Sequence, residues 1–210
     1  MAVKYETNFN HHSNIVVTDN VKEDIMAQAL IFLAPGYEEV EMLTVVDLLR
    51  RSNIEIDMVS ITDSLEVTSS HNVTIKADIL LKDADFDTAQ MIILPGGLPG
   101  TTNLLACEPL TEKIKEYAAQ NKWLSAICAA PTIYNELKLY HGCQATCFPD
   151  FADKLTDAAY VKQPVVVDGI FTTSRGAGTT IEFAAAIIER FLDKQAADKV
   201  LEKIIYNDTY

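Results

Sequence analysis

The feature of this sequence that most constrains its fold is the alternation of short apolar runs with segments of helical periodicity. Ala29–Leu33 and Met91–Leu94 are continuous apolar runs, as expected of strands covered on both faces, and Trp123–Ile127 predicts a third strand. After each run comes a segment whose apolar residues recur every three or four positions, which is typical of an amphipathic helix. This order predicts one α/β domain with a mostly parallel central sheet and helices on both faces.

The remaining elements follow from the same patterns. Asp168 and Gly169 join two β-rich runs over 165–173 and predict a hairpin with a type I′ turn. Thr179 and Glu182 predict a capping box at the start of another helix. The other predicted elements are helices over 38–52, 110–120, 130–139 and 195–205, a strand over 54–61, and a hairpin or two minor strands over 65–81.

Residues 1–25 differ from the rest of the chain, because they are rich in Asn, His, Lys and Asp and contain only one short apolar run. They lack the apolar stretch of a secretory signal. We expect them to be an extension outside the core fold, with a short added strand as the alternative. Residues 26–210, which contain no internal repeat or linker, are expected to form a single domain.

Composition limits the partners of the chain. Thirty acidic and 17 basic residues give a formal net charge of −13, which argues against binding to nucleic acids or anionic membranes. No window reaches the roughly 18 consecutive apolar residues of a membrane span. The four cysteines are too few for a disulfide scaffold and predict a reducing compartment, most simply the cytoplasm.

Residues suited to catalysis or ligand binding follow three of the predicted strands. Glu38, Glu39 and Glu41 come after the first strand, Gly96-Gly97 after Met91–Leu94, and Cys128 directly after Trp123–Ile127. In an open α/β sheet, ligands bind at the carboxyl ends of the strands. A cysteine at a strand-to-helix turn resembles a nucleophile elbow, in which N–H groups and the helix end favour a thiolate. The alternative, a small buried apolar residue, stays open on spacing alone.

Four motifs, in this order, cover nearly the whole chain from residue 26 onwards. They are Leu33-Ala34-Pro35-Gly36-Tyr37-Glu38-Glu39-Val40-Glu41, Leu94-Pro95-Gly96-Gly97, Ala126-Ile127-Cys128-Ala129-Ala130-Pro131-Thr132 and Thr173-Ser174-Arg175-Gly176-Ala177-Gly178-Thr179. Together they resemble the ThiJ/PfpI superfamily, and within it the branch of Parkinson disease protein 7 and its bacterial YajL-like relatives. The resemblance implies a flavodoxin-like sandwich of the class I glutamine amidotransferase type, and a homodimer.

The resemblance also implies roles for individual residues. Cys128 would be the oxidation-prone nucleophile, Glu41 the acid that hydrogen-bonds its sulfur, and the N–H groups of Gly97 and Ala129 an oxyanion pocket beside Gly96. Because two adjacent negative charges repel, we expect Glu41 to be protonated whenever Cys128 is charged. Glu38 and Glu39 are expected to be solvated acids at the helix start.

Three positions depart from patterns common in the superfamily. Phe148 stands where many members, though not the YajL-like ones, place a His near the cysteine, so the obvious general base is missing. His71 stands where many relatives have an Arg that lines the pocket, and is a weaker partner for anions. Ala129 replaces the His that follows the cysteine in the peptidase-like branch, which argues against a protease dyad.

Other clusters carry weaker signals. His141, Cys143 and Cys147 are spaced unlike the ligands of known zinc modules, so we expect ordinary thiols, with pairing of the two cysteines left open. Gly176 and Gly178 lack the Lys of a phosphate-binding loop and are expected to let the backbone pass close to Cys128. No metal or organic cofactor is predicted.

Two functions remain from the sequence. In the first, Cys128 attacks a small reactive carbonyl and Glu41 moves the proton, as in a cofactor-independent glyoxalase or deglycase. In the second, an oxidant converts Cys128 to a sulfinate, and the protein is a redox sensor or redox-regulated chaperone. A role in thiazole monophosphate biosynthesis and a cysteine peptidase activity are less favoured.

Overall fold

The computed structural model describes residues 28–206, so the leader expected at residues 1–25 lies outside the described residues. Within this part the chain forms eleven strands: β1 (Ala29–Leu33), β2 (Ile56–Ser60), β3 (Glu66–Thr68), β4 (Thr74–Lys76), β5 (Ile79–Leu80), β6 (Met91–Leu94), β7 (Trp123–Ile127), β8 (Gln144–Ala145), β9 (Ala159–Tyr160), β10 (Val165–Asp168) and β11 (Phe171–Ser174). The helices are α1 (Glu39–Arg51), α2 (Gly100–Ala106), α3 (Glu108–Ala119), α4 (Pro131–Glu136), α5 (Thr180–Phe191) and α6 (Lys194–Lys203). Short 3₁₀ segments cover Leu81–Asp83, Pro149–Lys154 and Ala177–Thr179.

A seven-stranded sheet in the order β10-β11-β7-β6-β1-β2-β5 forms the centre of the described chain. All its neighbouring strands run parallel except β10, which pairs with β11 in antiparallel fashion. The predicted α/β fold with a mostly parallel sheet is therefore confirmed. The region over 65–81 contains the predicted hairpin, β3 with β4, and in addition the edge strand β5.

The central strands are buried because helices cover both faces of the sheet. Successive side chains of β1 point to opposite faces: Ile31 belongs to one apolar cluster, with α1, α5 and α6, and Phe32 to the other, with α2, α3 and α4. Every residue of β1 and β6 is buried. The two layers hold the strand ends rigidly, which is what a site built on those ends requires.

Helix α1 begins with a side-chain cap and matches the predicted range of 38–52 closely. The carboxylate of Glu38 accepts the backbone N–H of Glu41 at 2.7 Å, so Glu38 is a cap and not the solvated acid expected from the sequence. Arg50 and Arg51 in the last turn complement the helix dipole. The cap fixes where the helix starts, and thereby which face Glu41 occupies.

Three local predictions are wrong or incomplete. The 165–173 hairpin is present, but Asp168 pairs with Phe171, so the turn consists of Gly169 and Ile170, and of these two only Gly169 has a positive φ, 55°. A type I′ turn would need positive φ at both positions.

Thr179 does not cap α5 with its side chain, because its hydroxyl is hydrogen-bonded to Ser174 (2.7 Å) and to the backbone of Gly176 instead. Helix α2 was not predicted.

The strand order reverses between β1 and β6. From β1 the chain adds β2 and β5 on one side, and then crosses over to place β6 on the other side of β1. The crevice at such a switch point, outside the carboxyl ends of the strands, is where open α/β folds bind ligands. The segments that follow β1, β6 and β7 all begin at this edge.

Candidate active site

Backbone hydrogen bonds join the strand-end segments in pairs. The N–H of Glu38, after β1, donates to the carbonyl of Gly96, after β6, at 3.0 Å. The N–H of Cys128, after β7, donates to the carbonyl of Ser174 at the end of β11, also at 3.0 Å. Residues that are far apart in sequence therefore meet at one edge, as the parallel topology predicted.

Cys128 occupies the sharp turn between β7 and α4. Its φ of +64° lies in the left-handed region, which a non-glycine residue adopts at a cost, and this confirms the strained strand-to-helix turn. Only Ala129 and Ala130 separate it from Pro131 at the first turn of α4. Cys128 as a residue is only partly buried, whereas Cys147 is completely buried.

Glu41 reaches the same point from α1. Its side chain is buried, with 1% of the residue exposed, and Oε2 accepts the N–H of Gly96 at 2.8 Å. The other oxygen, Oε1, is buried without a hydrogen-bond partner in the described chain. Burial is the largest of the effects that raise the pKa of Glu41 to about 7, while the N–H of Gly96 acts in the opposite direction.

Cys128 and Glu41 influence each other's protonation. Burial first, and then the negative charge of Glu41, raise the pKa of the Cys128 thiol to about 12, while the N–H groups of Ala129 and Gly97 lower it. The sequence predicted that the turn would favour a thiolate. The N–H groups do act in that direction, but burial and the carboxylate outweigh them.

The repulsion between the two groups depends on where the proton resides. It exists only while Glu41 is ionised, and a protonated Glu41 becomes a hydrogen-bond donor beside the sulfur instead. The pair therefore holds one negative charge more easily than two, and a thiolate on Cys128 goes together with a protonated Glu41.

Bare backbone makes this proximity possible. A methyl group at Gly96 would lie 2.6 Å from Cβ of Cys128 and 2.7 Å from Oε2 of Glu41, so only glycine fits between the two side chains. Gly97, with a φ of +86°, presses against the backbone of Gly36 and Tyr37. Its N–H and that of Ala129 lower the pKa of the Cys128 thiol, so both donors lie near the sulfur, and their role as an oxyanion pocket stays a prediction.

Phe148 and Gly176 are the remaining neighbours of the Cys128–Glu41 pair. The N–H of Phe148 donates to the carbonyl of Cys128 at 2.8 Å, so the two residues are neighbours through their backbones. A methyl group at Gly176 would lie 3.4 Å from the Phe148 ring and 3.9 Å from Oε1 of Glu41. The expected close passage of the backbone is thus made by Gly176 and not by Gly178, which has no atom within 4 Å of such a methyl group.

His71 belongs to the turn between β3 and β4, and its side chain contacts the start of α1. Its Nδ1 is 3.1 Å from Oε2 of Glu39, and 68% of its side chain is exposed. Hydrogen bonding to Glu39 and the charge of that carboxylate raise the pKa of His71. Glu39 is therefore an ion-pair partner and not simply a solvated acid. None of the hydrogen bonds of His71 to described residues reaches the thiol, so its place in the pocket stays a prediction.

The described chain offers one group of three metal-ligating residue types whose ligand atoms lie within 4.8 Å of one another: Glu38, Glu39 and His71. The carboxylate of Glu38 already caps α1, and Glu39 is paired with His71. The predicted alternative cluster does not form such a group in residues 28–206. There Cys147 is completely buried, and its thiol donates to the carbonyl of Phe148 at 3.3 Å.

The sequence matches the DJ-1/PfpI family over residues 27–190. The chain belongs to this family. It is 39% identical over 169 residues to DJ-1 homolog B of Arabidopsis thaliana. The matched residues make up 80% of this chain but only 39% of the plant protein. The chain therefore spans about two fifths of that relative's length. The narrower likeness to YajL-like members of the family stays a prediction.

Two other members of the DJ-1/PfpI family are similar over nearly their whole length. One is a Caenorhabditis elegans protein named glutathione-independent glyoxalase DJR-1.2, 32% identical over 182 residues, or 84% of this chain and 95% of that one. The other is a solved structure, Toxoplasma gondii DJ-1 in oxidized form, with a TM-score of 0.83, 32% identity, and coverage of 86% of this chain and 99% of that one. No helix in residues 28–206 is long and apolar enough to cross a membrane.

The residues alone contained a signal for the burial of Glu41 that the sequence reasoning did not use. Glu41 precedes Val45 by four positions and Leu48 by seven, and all three lie on the buried face of α1. An acid on the apolar stripe of a helix is uncommon, because burying its charge is unfavourable. By contrast, no local pattern pointed to Gly176 as a neighbour of Glu41.

Proposed function

We propose that the protein is a cofactor-independent enzyme that converts small 2-oxoaldehydes into 2-hydroxy acids, a glyoxalase activity, or that acts as a deglycase on the adducts of such aldehydes. The observation that carries this proposal is the pair formed by a partly buried thiol, Cys128, and a buried carboxyl, Glu41, whose pKa is raised to about 7. A group with a pKa near the working pH both accepts and donates protons efficiently. The glyoxalase name of the worm relative supports the same chemistry.

The first step is attack on the aldehyde. The ionised Glu41 takes the thiol proton while the sulfur of Cys128 forms a bond to the aldehyde carbon, whose carbonyl oxygen becomes an alkoxide. The N–H groups of Gly97 and Ala129, which lie near the sulfur, stabilise this negative charge. Glu41 then returns the proton to the alkoxide, and the product is a hemithioacetal.

The second step moves a hydrogen between neighbouring carbons. The carboxylate of Glu41 removes the proton from the former aldehyde carbon, which leaves an enediolate, and the same carboxyl delivers this proton to the adjacent carbon. The hydroxyl proton of the hemithioacetal passes to the oxygen on that adjacent carbon, so that the former aldehyde carbon becomes the carbonyl carbon. The result is a thioester of the 2-hydroxy acid on Cys128. Water hydrolyses the thioester, which releases the acid and restores the thiol, so the overall reaction consumes one aldehyde and one water.

The decisive experiment incubates the protein with methylglyoxal in buffer that contains a chelator and no glutathione, and measures lactate. We expect lactate from the wild type and from a Cys107→Ala variant, in which another half-buried thiol is removed, but none above background from Cys128→Ala. Absence of lactate from the wild type would refute the enzymatic proposal.

A second candidate is a redox sensor, favoured by the N–H groups that lie near the Cys128 sulfur and by the oxidized form in which the Toxoplasma gondii relative was solved. One hydrogen peroxide would convert the thiol to a sulfenic acid and a second would convert that to a sulfinic acid, each with release of one water. Intact-mass measurement after mild peroxide treatment tests this candidate, which requires a gain of two oxygen atoms on Cys128. A free thiol after treatment refutes it.

We further propose that residues 26–210 act as one domain, and that the protein works as a homodimer in the cytoplasm. The free thiols of Cys107, Cys128, Cys143 and Cys147 support a reducing compartment. Sedimentation equilibrium at micromolar concentration tests the dimer: we expect about twice the chain mass of 23.2 kDa, and the mass of a single chain would contradict it.

A further inference from the structure

An exposed aromatic side chain lies near Cys128 and Glu41. Phe148 is tied to the nucleophile through its backbone N–H, which donates to the carbonyl of Cys128 at 2.8 Å. Although it lies beside a buried pair, 39% of Phe148 is exposed. An apolar side chain that stays open to solvent next to a reactive atom is a candidate contact for a substrate.

The position of the ring is set relative to the proton-transfer group as well. The Phe148 ring and the free oxygen Oε1 of Glu41 lie close to the same point, 3.4 Å and 3.9 Å from where a methyl group on Gly176 would stand. An adduct on the Cys128 sulfur that reaches Oε1 therefore comes within reach of the ring. The part of the substrate beyond the two carbonyl carbons is the part that meets it.

The ring is supported from behind. Its centroid lies 6.4 Å from that of Phe151, with an angle of 58° between the planes, and Lys154 lies over the Phe151 ring at 4.9 Å. A second large apolar side chain, Leu98, follows Gly97 directly and is 55% exposed. Phe148 therefore offers an aromatic surface that supplies neither a charge nor a side-chain hydrogen bond.

We infer that the site selects neutral aldehydes with an apolar, above all an aryl, substituent, and that Phe148 is the residue that determines this specificity. This inference rests on the proposed function in taking Cys128 as the attacking atom. An aryl group stacks on or packs edge-to-face against the Phe148 ring, whereas the methyl group of methylglyoxal is too small to cover it. Phenylglyoxal is thus the better substrate type.

The first test compares kcat/KM for phenylglyoxal and methylglyoxal in several variants. Because the two aldehydes differ in intrinsic reactivity, the relevant quantity is the ratio between them, relative to the wild type. We expect Phe148→Ala to lower the ratio about tenfold, chiefly through kcat/KM for phenylglyoxal, and Phe148→Tyr to keep it. Leu192→Ala, which truncates a side chain 51% exposed after α5, is the matched control and leaves the ratio unchanged.

The second test does not depend on turnover. Phenacyl bromide and bromoacetone alkylate a thiol, forming a carbon–sulfur bond with loss of bromide and the thiol proton, and differ in the same aryl and methyl groups. Peptide mass measurement follows the rate at Cys128, with Cys128→Ala as the blank. We again expect the ratio of the two rates to fall about tenfold in Phe148→Ala and to be kept in Phe148→Tyr.

The outcomes separate the two proposals. Unchanged ratios in Phe148→Ala in the alkylation test overturn the inference, whatever the turnover. If neither aldehyde is converted by the wild type but the alkylation ratio falls, the glyoxalase proposal fails and the aryl preference of the pocket stands. If both ratios fall and Phe148→Tyr keeps them, both proposals are supported.

Discussion

Cys128 and Cys147 both hydrogen-bond to the backbone of Phe148, but their thiols have different surroundings. Phe148 donates its N–H to the carbonyl of Cys128 and accepts the thiol of Cys147 at its own carbonyl. Burial is the first cause of a raised pKa in both, to about 12 and about 11. Cys128, however, is only partly buried and lies near a carboxyl and two N–H groups, while Cys147 is completely buried in the core.

The comparison teaches that a raised pKa does not distinguish a reactive thiol from a structural one. Cys147 has no carboxyl among the groups that shift its pKa, and solvent does not reach it. In the proposed reaction, Cys128 has a neighbour, Glu41, that takes up the thiol proton as the sulfur attacks. Access and a proton acceptor, more than the resting pKa, separate the two sites.

The largest effect is expected from a side chain that fills the space between the thiol and the carboxyl. In Gly96→Ala the new methyl group would lie within 3 Å of both Cys128 Cβ and Glu41 Oε2, so the pair is forced apart, and we expect kcat/KM for methylglyoxal to fall at least about 1,000-fold. Gly178→Ala, where the methyl group meets nothing within 4 Å, is the control and is expected to keep wild-type activity. Near-normal activity in Gly96→Ala with an unchanged melting temperature would contradict this geometry.

A smaller loss is expected from removing only the proton acceptor. Glu41→Gln keeps an oxygen for the N–H of Gly96 but cannot accept a proton, so we expect kcat to fall about 100-fold. Asp47→Asn on the same helix, an exposed acid paired with Arg51, should leave kcat unchanged. Equal kcat values for wild type and Glu41→Gln would assign the proton transfer to another group.

The raised pKa of Glu41 also predicts how stability depends on pH. Because its pKa rises from 4.5 to about 7 on folding, the folded state binds more protons between these values, and the free energy of unfolding falls as pH rises through this window. We expect the stability difference, wild type minus Glu41→Gln, to decrease by about 3 kcal/mol between pH 4 and pH 8. Urea unfolding at both pH values measures it, and a difference that increases with pH would contradict the burial of Glu41 as a neutral acid.

The smallest effect is expected at the other thiol. Cys147→Ala removes a buried sulfur from the core, so we expect a loss of about 1 kcal/mol in the free energy of unfolding, while kcat/KM stays within about threefold of wild type. In the wild type, peptide mass measurement after mild peroxide should find Cys147 as a free thiol. Loss of activity comparable to that of Cys128→Ala would remove the distinction between the two sites.

Much of the fold followed from local patterns. Apolar runs, continuous in β1 and β6 and interrupted by Ser125 in β7, predicted these three strands. Helical periodicity predicted α1, α3, α5 and α6, because these patterns report burial along a single element. Helix α2 was missed because Gly100–Ala106 is short and carries no side-chain cap. The capping box at Thr179 was wrong because Ser174 and Gly176, which compete for its hydroxyl, are neighbours only in the folded loop.

For the candidate site, the motifs named the residues and the structure supplied their relations. Cys128, Glu41, Gly96, Gly97, Ala129 and Phe148 were all identified from the sequence, and the structure brings them to one sheet edge. His71 was named as well, but the structure pairs it with Glu39. That pairing could not be predicted, because it depends on how the turn before β4 packs on the start of α1.

The sequence by itself determined that a cysteine ends one buried strand and that acids begin the helix after another, since both facts depend on local order along the chain. Only the tertiary structure decided which groups replace the water around Glu41, because Gly96, the donor to its carboxyl, is 55 positions away in the sequence. Desolvation and charge repulsion are sums over neighbours in space. They turn one of 30 acidic residues into a carboxyl that titrates near pH 7.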